Sequence, residues 1–417
     1  MKMSKLAIRT SKVRGQEEAL SQEILFQSSL LKRHSAGIYS MGPLLVKSRN
    51  KLIELLREKL SDADCVEISL SSLQPARLWQ ESGRWNVYKD SRQMFTLQDR
   101  NDTWYCLGPT HEEMVVDFLR NILVSYRDLP VNVFQISMKY RDEIRTHGGL
   151  LRSKEFMMAD GYSFHTSFED MAEEYLKMRK AYSEFFATLG LATVPVKAVN
   201  AEMGGRVSEE FMVICDIGED KLLYDEATGL GWNMEVLEIP QERDALRKRY
   251  PDLCFETLRR RSCIEVGHIF QLGTYYSQGM NACFIDRDGK KKPYFMGCYG
   301  IGINRTLATC LEMNCDEKGL VWPEKIAPYS AVMVYAEEKR AEAFACYEAL
   351  RKRGAEVLLD DRAMRFGEKL KDAKLLGVPY LVILGKKAPE GTMEVEKRVN
   401  GEKCFLSFEK LADLLKP

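Results

Sequence analysis

The chain has 417 residues, 45% of them hydrophobic and 29% charged, with 61 basic side chains balanced by 61 acidic ones. This is the balance of a globular protein of two or three domains: it excludes a disordered chain, and with no run of about 18 apolar residues no membrane helix is expected. Zero net charge excludes the global basic excess that would announce a nucleic-acid partner, but leaves room for a local basic face.

The 11 cysteines are scattered and never spaced CxxC, and the closest pair, Cys310 and Cys315, does not match zinc-ligand spacings. Free thiols in a reducing cytosol are the expected state. In chain order, the opening MKMSKLAIRTSKVRG lacks the apolar core of a signal peptide. Pro43 opens a helix running to about Leu60, with Leu52, Leu56 and Leu60 on one face. Val66, Ile68 and Leu70 then alternate with polar residues, as in a half-buried strand. Leu107-Gly108-Pro109-Thr110-His111-Glu112-Glu113 reads as a turn entering a helix. On spacing alone Thr110 is its N-cap, although the same turn also suits Thr110 and Glu112 facing a substrate ammonium group.

Val131–Ile136 is extended, and the densest cluster of chemistry follows in MKYRDEIRTHGGLLRSKEFMMADGYSFH, from Met138 to His165. A strand, a charged loop and a returning strand aim Arg141 and Arg152 at one point, as an anion such as a nucleotide α-phosphate requires. Phe156 is placed to stack on a base and Glu143 to accept from an exocyclic amine. A solvated hairpin with surface ion pairs explains the same spacing equally well. Phe168–Leu189 is a long amphipathic helix. In Phe295–Arg305 the glycines Gly297, Gly300 and Gly302 let a backbone approach a ligand or a packed helix, and Arg305 reaches toward a terminal phosphate. Cys298 has no paired His, so a pocket-lining thiol is expected rather than a nucleophile. No GxxxxGK[ST] loop occurs, and GxxGxG has the wrong order for a dinucleotide fingerprint.

Val321–Pro328 holds two prolines and forms an extended connector. Beyond it Ala331–Tyr335, Glu356–Leu359 and Tyr380–Leu384 are strand-like, while Glu337–Arg353 and Phe366–Leu376 are helical. This is a separate α/β domain with a parallel or mixed sheet. The less regular order before the connector indicates an α+β domain on an antiparallel sheet.

Together these segments resemble the signature motifs of class II aminoacyl-tRNA synthetases. The Arg141 hairpin resembles motif 2, the glycine run ending in Arg305 resembles motif 3, and the Pro43 helix with Val66–Pro75 resembles motif 1. Within the class, GPTHEE, the stretches from Gln74 to Trp85 and from Gly267 to Ser277, GLVWPEKIAP and the segment from Asp360 to Pro379 are similar to prolyl-tRNA synthetases of the bacterial type. The resemblance implies a catalytic domain at 1–322, flanked by helices, and an anticodon-binding domain at 323–417. It implies ATP-dependent activation of L-proline, then transfer of the prolyl group to the 3′-terminal ribose of tRNA(Pro). Thr110 and Glu112 would hold the imino group, and Arg141 would bridge the proline carboxylate and the α-phosphate. Glu143, Arg152 and Phe156 would grip ATP. Gln271, Thr274 and Arg305 would contact ribose and phosphates, and His268 and Cys298 would line the amino-acid pocket. Also implied are Mg²⁺ with ATP, no protein-bound metal or zinc, a homodimer, a cytoplasmic location and no membrane.

Two departures from the family stand out. A short charged stretch at 233–264, with Arg247-Lys248-Arg249 and Arg259-Arg260-Arg261, replaces the large editing insertion that hydrolyses misattached alanine, so mischarging with alanine is expected. Glu209 stands where many members have His, which questions that position's role. Threonine and histidine enzymes of the class use different loops where GPTHEE stands. Non-catalytic paralogues usually lose a motif arginine, whereas Arg141, Arg152 and Arg305 are all present.

Overall fold

The computed structural model describes residues 1–11, 15, 17–198, 207–249, 257–386 and 388–416. Residues 250–256 of the short charged stretch therefore lie outside the described residues. The helix opened by Pro43 spans Pro43–Asp62, with Leu52, Leu56 and Leu60 buried on one face as their spacing requires. The chain packs as two compact units, Ile53–Thr309, and Met1–Leu52 with Cys310–Pro417.

The unit Ile53–Thr309 is built on a nine-stranded sheet. Its central strands are Arg259–Gly273, Phe295–Gly302, Glu155–His165 and Val131–Tyr140, each antiparallel to the next. Val207–Ile214 and Asp220–Tyr224 share the outer edge of the long strand Arg259–Gly273. At the far side Val66–Glu67 joins in parallel. The expected strand there is shortened to two residues, and Val66 is 61% exposed, while Ile68 and Leu70 pack on the apolar core beyond it.

Strand alternation gives the sheet two faces. One is covered by the amphipathic helix Phe168–Thr188, whose Tyr182 and Phe186 meet Phe211. On this face a Cβ added at Gly297 would collide with the Tyr299 hydroxyl, which itself is hydrogen-bonded to Ser163 at 2.8 Å. The glycine therefore serves close packing. The other face carries Phe156, Met158, Asp160, His268, Phe270, Cys298 and Gly300 and forms the floor of a cleft.

In the other unit a five-stranded sheet runs Val357–Leu359, Ala331–Tyr335, Tyr380–Leu384, Thr392–Lys397, Lys403–Ser407. The first three are parallel and the last two antiparallel, so the sheet is mixed. Helices Arg340–Lys352 and Phe366–Leu376 supply the crossovers. The N-terminus adds to this sheet: the Met1 ammonium donates to Val357 O, Lys2 bridges Leu359, and Ser4 donates twice to Asp361. Residues 1–52 belong to the same compact unit as this sheet, so the packing units do not coincide with the 322/323 boundary expected from the connector. Among the described residues no helix is long and apolar enough to cross a membrane.

Candidate active site

The cleft has a volume of about 780 Å³ and lies wholly within Ile53–Thr309. The structure brings nine sequence-predicted residues to its walls: Thr110, Glu112, Arg141, Glu143, Arg152, Phe156, His268, Cys298 and Arg305. Gln271 and Thr274 do not line it. Gln271 follows Phe270 on the strand and so points to the helix-covered face, while Thr274 lies beyond the strand at the start of the short helix Tyr275–Gly279. Their expected contacts with ribose and phosphates are not supported by this placement.

At one end of the cleft the turn Gly108–His111 leads into the helix Glu112–Leu119. The N-cap is His111, without a side-chain hydrogen bond, so the N-cap reading of Thr110 is corrected. The Thr110 hydroxyl instead donates to Glu112 Oε2 at 2.5 Å, and Cys298 Sγ donates to Glu112 Oε1 at 3.3 Å. Burial and the Glu112 carboxylate hold the Cys298 thiol well above its ordinary range, so it stays protonated and a nucleophilic thiolate is not favoured.

Beneath this turn lies a polar network. Lys139, fully buried, sits 2.6 Å from Asp160 Oδ1, and Gln135 and the Tyr162 hydroxyl donate to Asp160 Oδ2 at 2.9 and 2.8 Å. The Tyr162 oxygen in turn accepts from the His111 backbone N–H at 3.1 Å, tying the turn to the sheet. Burial, then the nearby Lys139 charge, pushes the His111 imidazole down to about 4, so the ring is neutral at ordinary pH.

At the other end the hairpin closes over the floor. Arg141 Nε donates to Pro109 O at 3.3 Å, and its guanidinium lies 5.3 Å from the Phe156 ring centre. Arg152 is held by Glu143 at 2.9 Å and Glu219 at 3.0 Å. Arg305 enters from the helix Ile303–Asn314, with Nε donating to Leu151 O and Nη1 to Glu265 O and Oε2, each at 2.9 Å. Three guanidiniums thus face one cavity in fixed orientations, which the solvated-hairpin reading does not require.

Sequence reasoning missed Glu210 and Glu265, which face this end beside His268. The three present ligand atoms within 4.8 Å of one another, a trio that the expectation of no metal ligands did not foresee. Burial alone would raise Glu265, but the His268 hydrogen bond and the Arg305 charge outweigh it and hold its carboxyl down to about 2. Burial and the Glu265 charge push Glu210 up to about 9. Glu209, one residue earlier, points to the other face and bonds Tyr175 at 2.9 Å and Arg179 at 3.0 Å. The signal was present: a carboxylate within an otherwise apolar strand, as at Asp160 in Met157–Phe164, needs a buried partner or a ligand.

An antiparallel sheet carrying an arginine hairpin and a glycine-rich strand into an arginine helix defines a class II aminoacyl-tRNA synthetase core. The sequence matches the family described as "tRNA synthetase class II core domain (G, H, P, S and T)" over residues 95–314 and "Anticodon binding domain" over 326–417. Among curated proteins, the proline–tRNA ligase of Sulfurimonas denitrificans is 36% identical over 100% of both chains. That of Bacillus cytotoxicus is 32% identical over 96% of this chain and 97% of its own. The chain belongs to the proline–tRNA ligase family. The fold is shared with the prolyl-tRNA synthetase of Cryptosporidium parvum complexed with L-proline and AMP (TM-score 0.75, 17% identity, 97% of this chain and 75% of that one). The same is true of its complex with halofuginone and AMPPNP (TM-score 0.76, 18% identity, 94% and 75%).

Proposed function

We propose that this cleft performs the family's reaction, ATP-dependent joining of proline to tRNA(Pro), with the residues in the following roles. Glu112, with Thr110, takes the protonated imino group of proline. Arg141 lies between the amino-acid end and the phosphate end and bridges the proline carboxylate and the α-phosphate. Carboxylate attack forms prolyl-adenylate and expels pyrophosphate. The 3′-terminal ribose hydroxyl of the tRNA then attacks the adenylate carbonyl, and AMP leaves. Negative charge develops on the α-phosphate during the first step, and guanidiniums already fixed in place stabilise it without reorganising.

Arg152 and Glu143 grip ATP, Phe156 stacks on adenine, and Arg305 meets the terminal phosphates. His268 and Cys298 line the amino-acid pocket. Glu265 and Glu210 offer oxygen donors and would hold an Mg²⁺ ion arriving with ATP, which would supply neutralisation of phosphate charge. Residues 1–322 act as the catalytic domain and 323–417 as the anticodon reader, an assignment supported by the family match over 326–417. A homodimer is the expected form, as the class's motif 1 implies, and the scattered free thiols suit a cytoplasmic location.

The observation that carries this reading is one cavity holding the buried Glu112 at one end, Arg152 and Arg305 at the other, and Arg141 between them. ATP–pyrophosphate exchange with purified enzyme, offering each amino acid in turn, tests it. Strong exchange with proline and weaker exchange with alanine or cysteine is expected. No exchange with any amino acid, from folded protein, would redirect the assignment to a tRNA-binding role without catalysis.

A further inference from the structure

Arg84 lies in the stretch from Gln74 to Trp85, and the roles above leave it without a task. Its side chain is 2% exposed, an unusual place for a guanidinium. Nη1 stands 3.0 Å from Glu113 Oε1 and 3.6 Å from Glu112 Oε2, and Nη2 donates to the Tyr88 hydroxyl at 2.5 Å. The rings of Tyr88, Trp79 and Tyr276 surround the guanidinium, with centres 4.5, 5.1 and 5.2 Å away. Ser82 Oγ donates to the same Glu113 oxygen at 2.8 Å.

Glu112 and Glu113 are consecutive and both fully buried. Two buried carboxylates so placed need counter-charges or hydrogen bonds close by. Arg84 supplies one positive charge, and the shorter distance assigns it to Glu113. Nearby, Asp160 is matched by Lys139, and Cys298 stays neutral. With Arg141 left for the substrate carboxylate, the count leaves one negative charge, on Glu112, facing the cleft. One cationic substrate nitrogen completes the balance.

We infer that Arg84 is a positioning residue for proline activation: it closes an ion pair with Glu113 and thereby keeps Glu112 as the single unmatched carboxylate presented to the substrate's protonated imino nitrogen. This rests on the reading of Glu112 given above. Without Arg84 two adjacent buried carboxylates compete for one substrate cation, and Glu112 loses the neighbour that fixes its geometry. Lysine keeps the charge but not the fork that meets Glu113 and Tyr88 together, so it substitutes only in part.

The test is steady-state ATP–pyrophosphate exchange with proline and ATP varied separately, on full-length R84M, R84K, R84M/E113Q and E112Q, each checked for folding by its melting temperature. R84M is expected to raise the proline KM by about tenfold or more while the ATP KM stays within about twofold. R84K falls between R84M and the parent, and R84M/E113Q, which restores the charge balance, recovers most of the lost proline affinity. Should R84M fail to fold, R84K and the double variant carry the comparison. An unchanged proline KM in R84M, an equal rise in both KM values, or a double variant no better than R84M would overturn the positioning role. A normal proline KM in E112Q would instead overturn the reading of Glu112 itself.

Discussion

The three cleft arginines differ in how far the protein has already committed them. Arg152 and Arg305 are tied to carboxylates, whereas Arg141 has a hydrogen bond to Pro109 O and a ring beneath it. Removing Arg141 therefore costs transition-state stabilisation and little stability. R141A is expected to slow adenylate formation by about 10²–10³-fold with an unchanged melting temperature; near-normal exchange from the folded variant would contradict the role. Glu210 makes a pH prediction. Its proton is held in the folded chain up to about pH 9 but released near 4.5 when the chain unfolds. Between those values the folded state binds more protons, so this group costs stability progressively as pH rises. E210Q removes that cost: its melting temperature should match the parent's near pH 4.5 and exceed it increasingly toward pH 8. A difference that shrinks over this range would show that Glu210 is not a raised carboxyl.

At the scale of elements, the hairpin of Val131–Tyr140 and Glu155–His165 both builds the floor and aims the arginines. Its buried, oppositely charged Lys139 and Asp160 are tolerable only as a pair. K139M leaves a buried carboxylate unmatched and is expected to cost about 3–5 kcal/mol in denaturant unfolding. K139M/D160N should recover a large part of that loss, and a double variant no more stable than K139M would contradict the pairing. The same element logic explains which strands the sequence displayed. Tyr380–Leu384, buried in the sheet interior, is a continuous apolar run and was recognised. Thr392–Lys397 alternates Met393 and Val395 with glutamates, and Lys403–Ser407 is mostly exposed at an edge, so both were overlooked.

At the scale of the whole molecule, the stretch at 233–264 is the distinguishing feature. The alignment with the Bacillus cytotoxicus relative runs over 550 positions, more than this chain has residues, whereas that with the Sulfurimonas denitrificans relative runs over 437. Compact and extended forms both occur in the family. Alanine is smaller than proline, and a pocket rejects a smaller ligand only through lost contacts, roughly 1–3 kcal/mol per methylene. Purified enzyme is therefore expected to form alanyl-tRNA(Pro) and to leave it uncleared. Absence of that product under conditions that charge proline fully would show that the pocket discriminates by itself or that clearance resides in this chain.

Local pattern was enough for the helices Pro43–Asp62, Phe168–Thr188 and Phe366–Leu376 and for the arginine hairpin, because a period of 3.6 or 2 and a charged turn are properties of neighbouring residues. Motif and spacing singled out eight of the cleft's residues, and family resemblance added His268 and their roles. What only the tertiary structure decided is which faces meet. Alternation sends Glu210 to the cleft and Glu209 to the helix, and Phe270 inward but Gln271 away. A turn from one end of the core meets Arg84 from a separate helix start, and the N-terminal residues complete a sheet more than 350 positions away. Such pairings depend on register and burial between segments distant in sequence, and no local pattern carries that information.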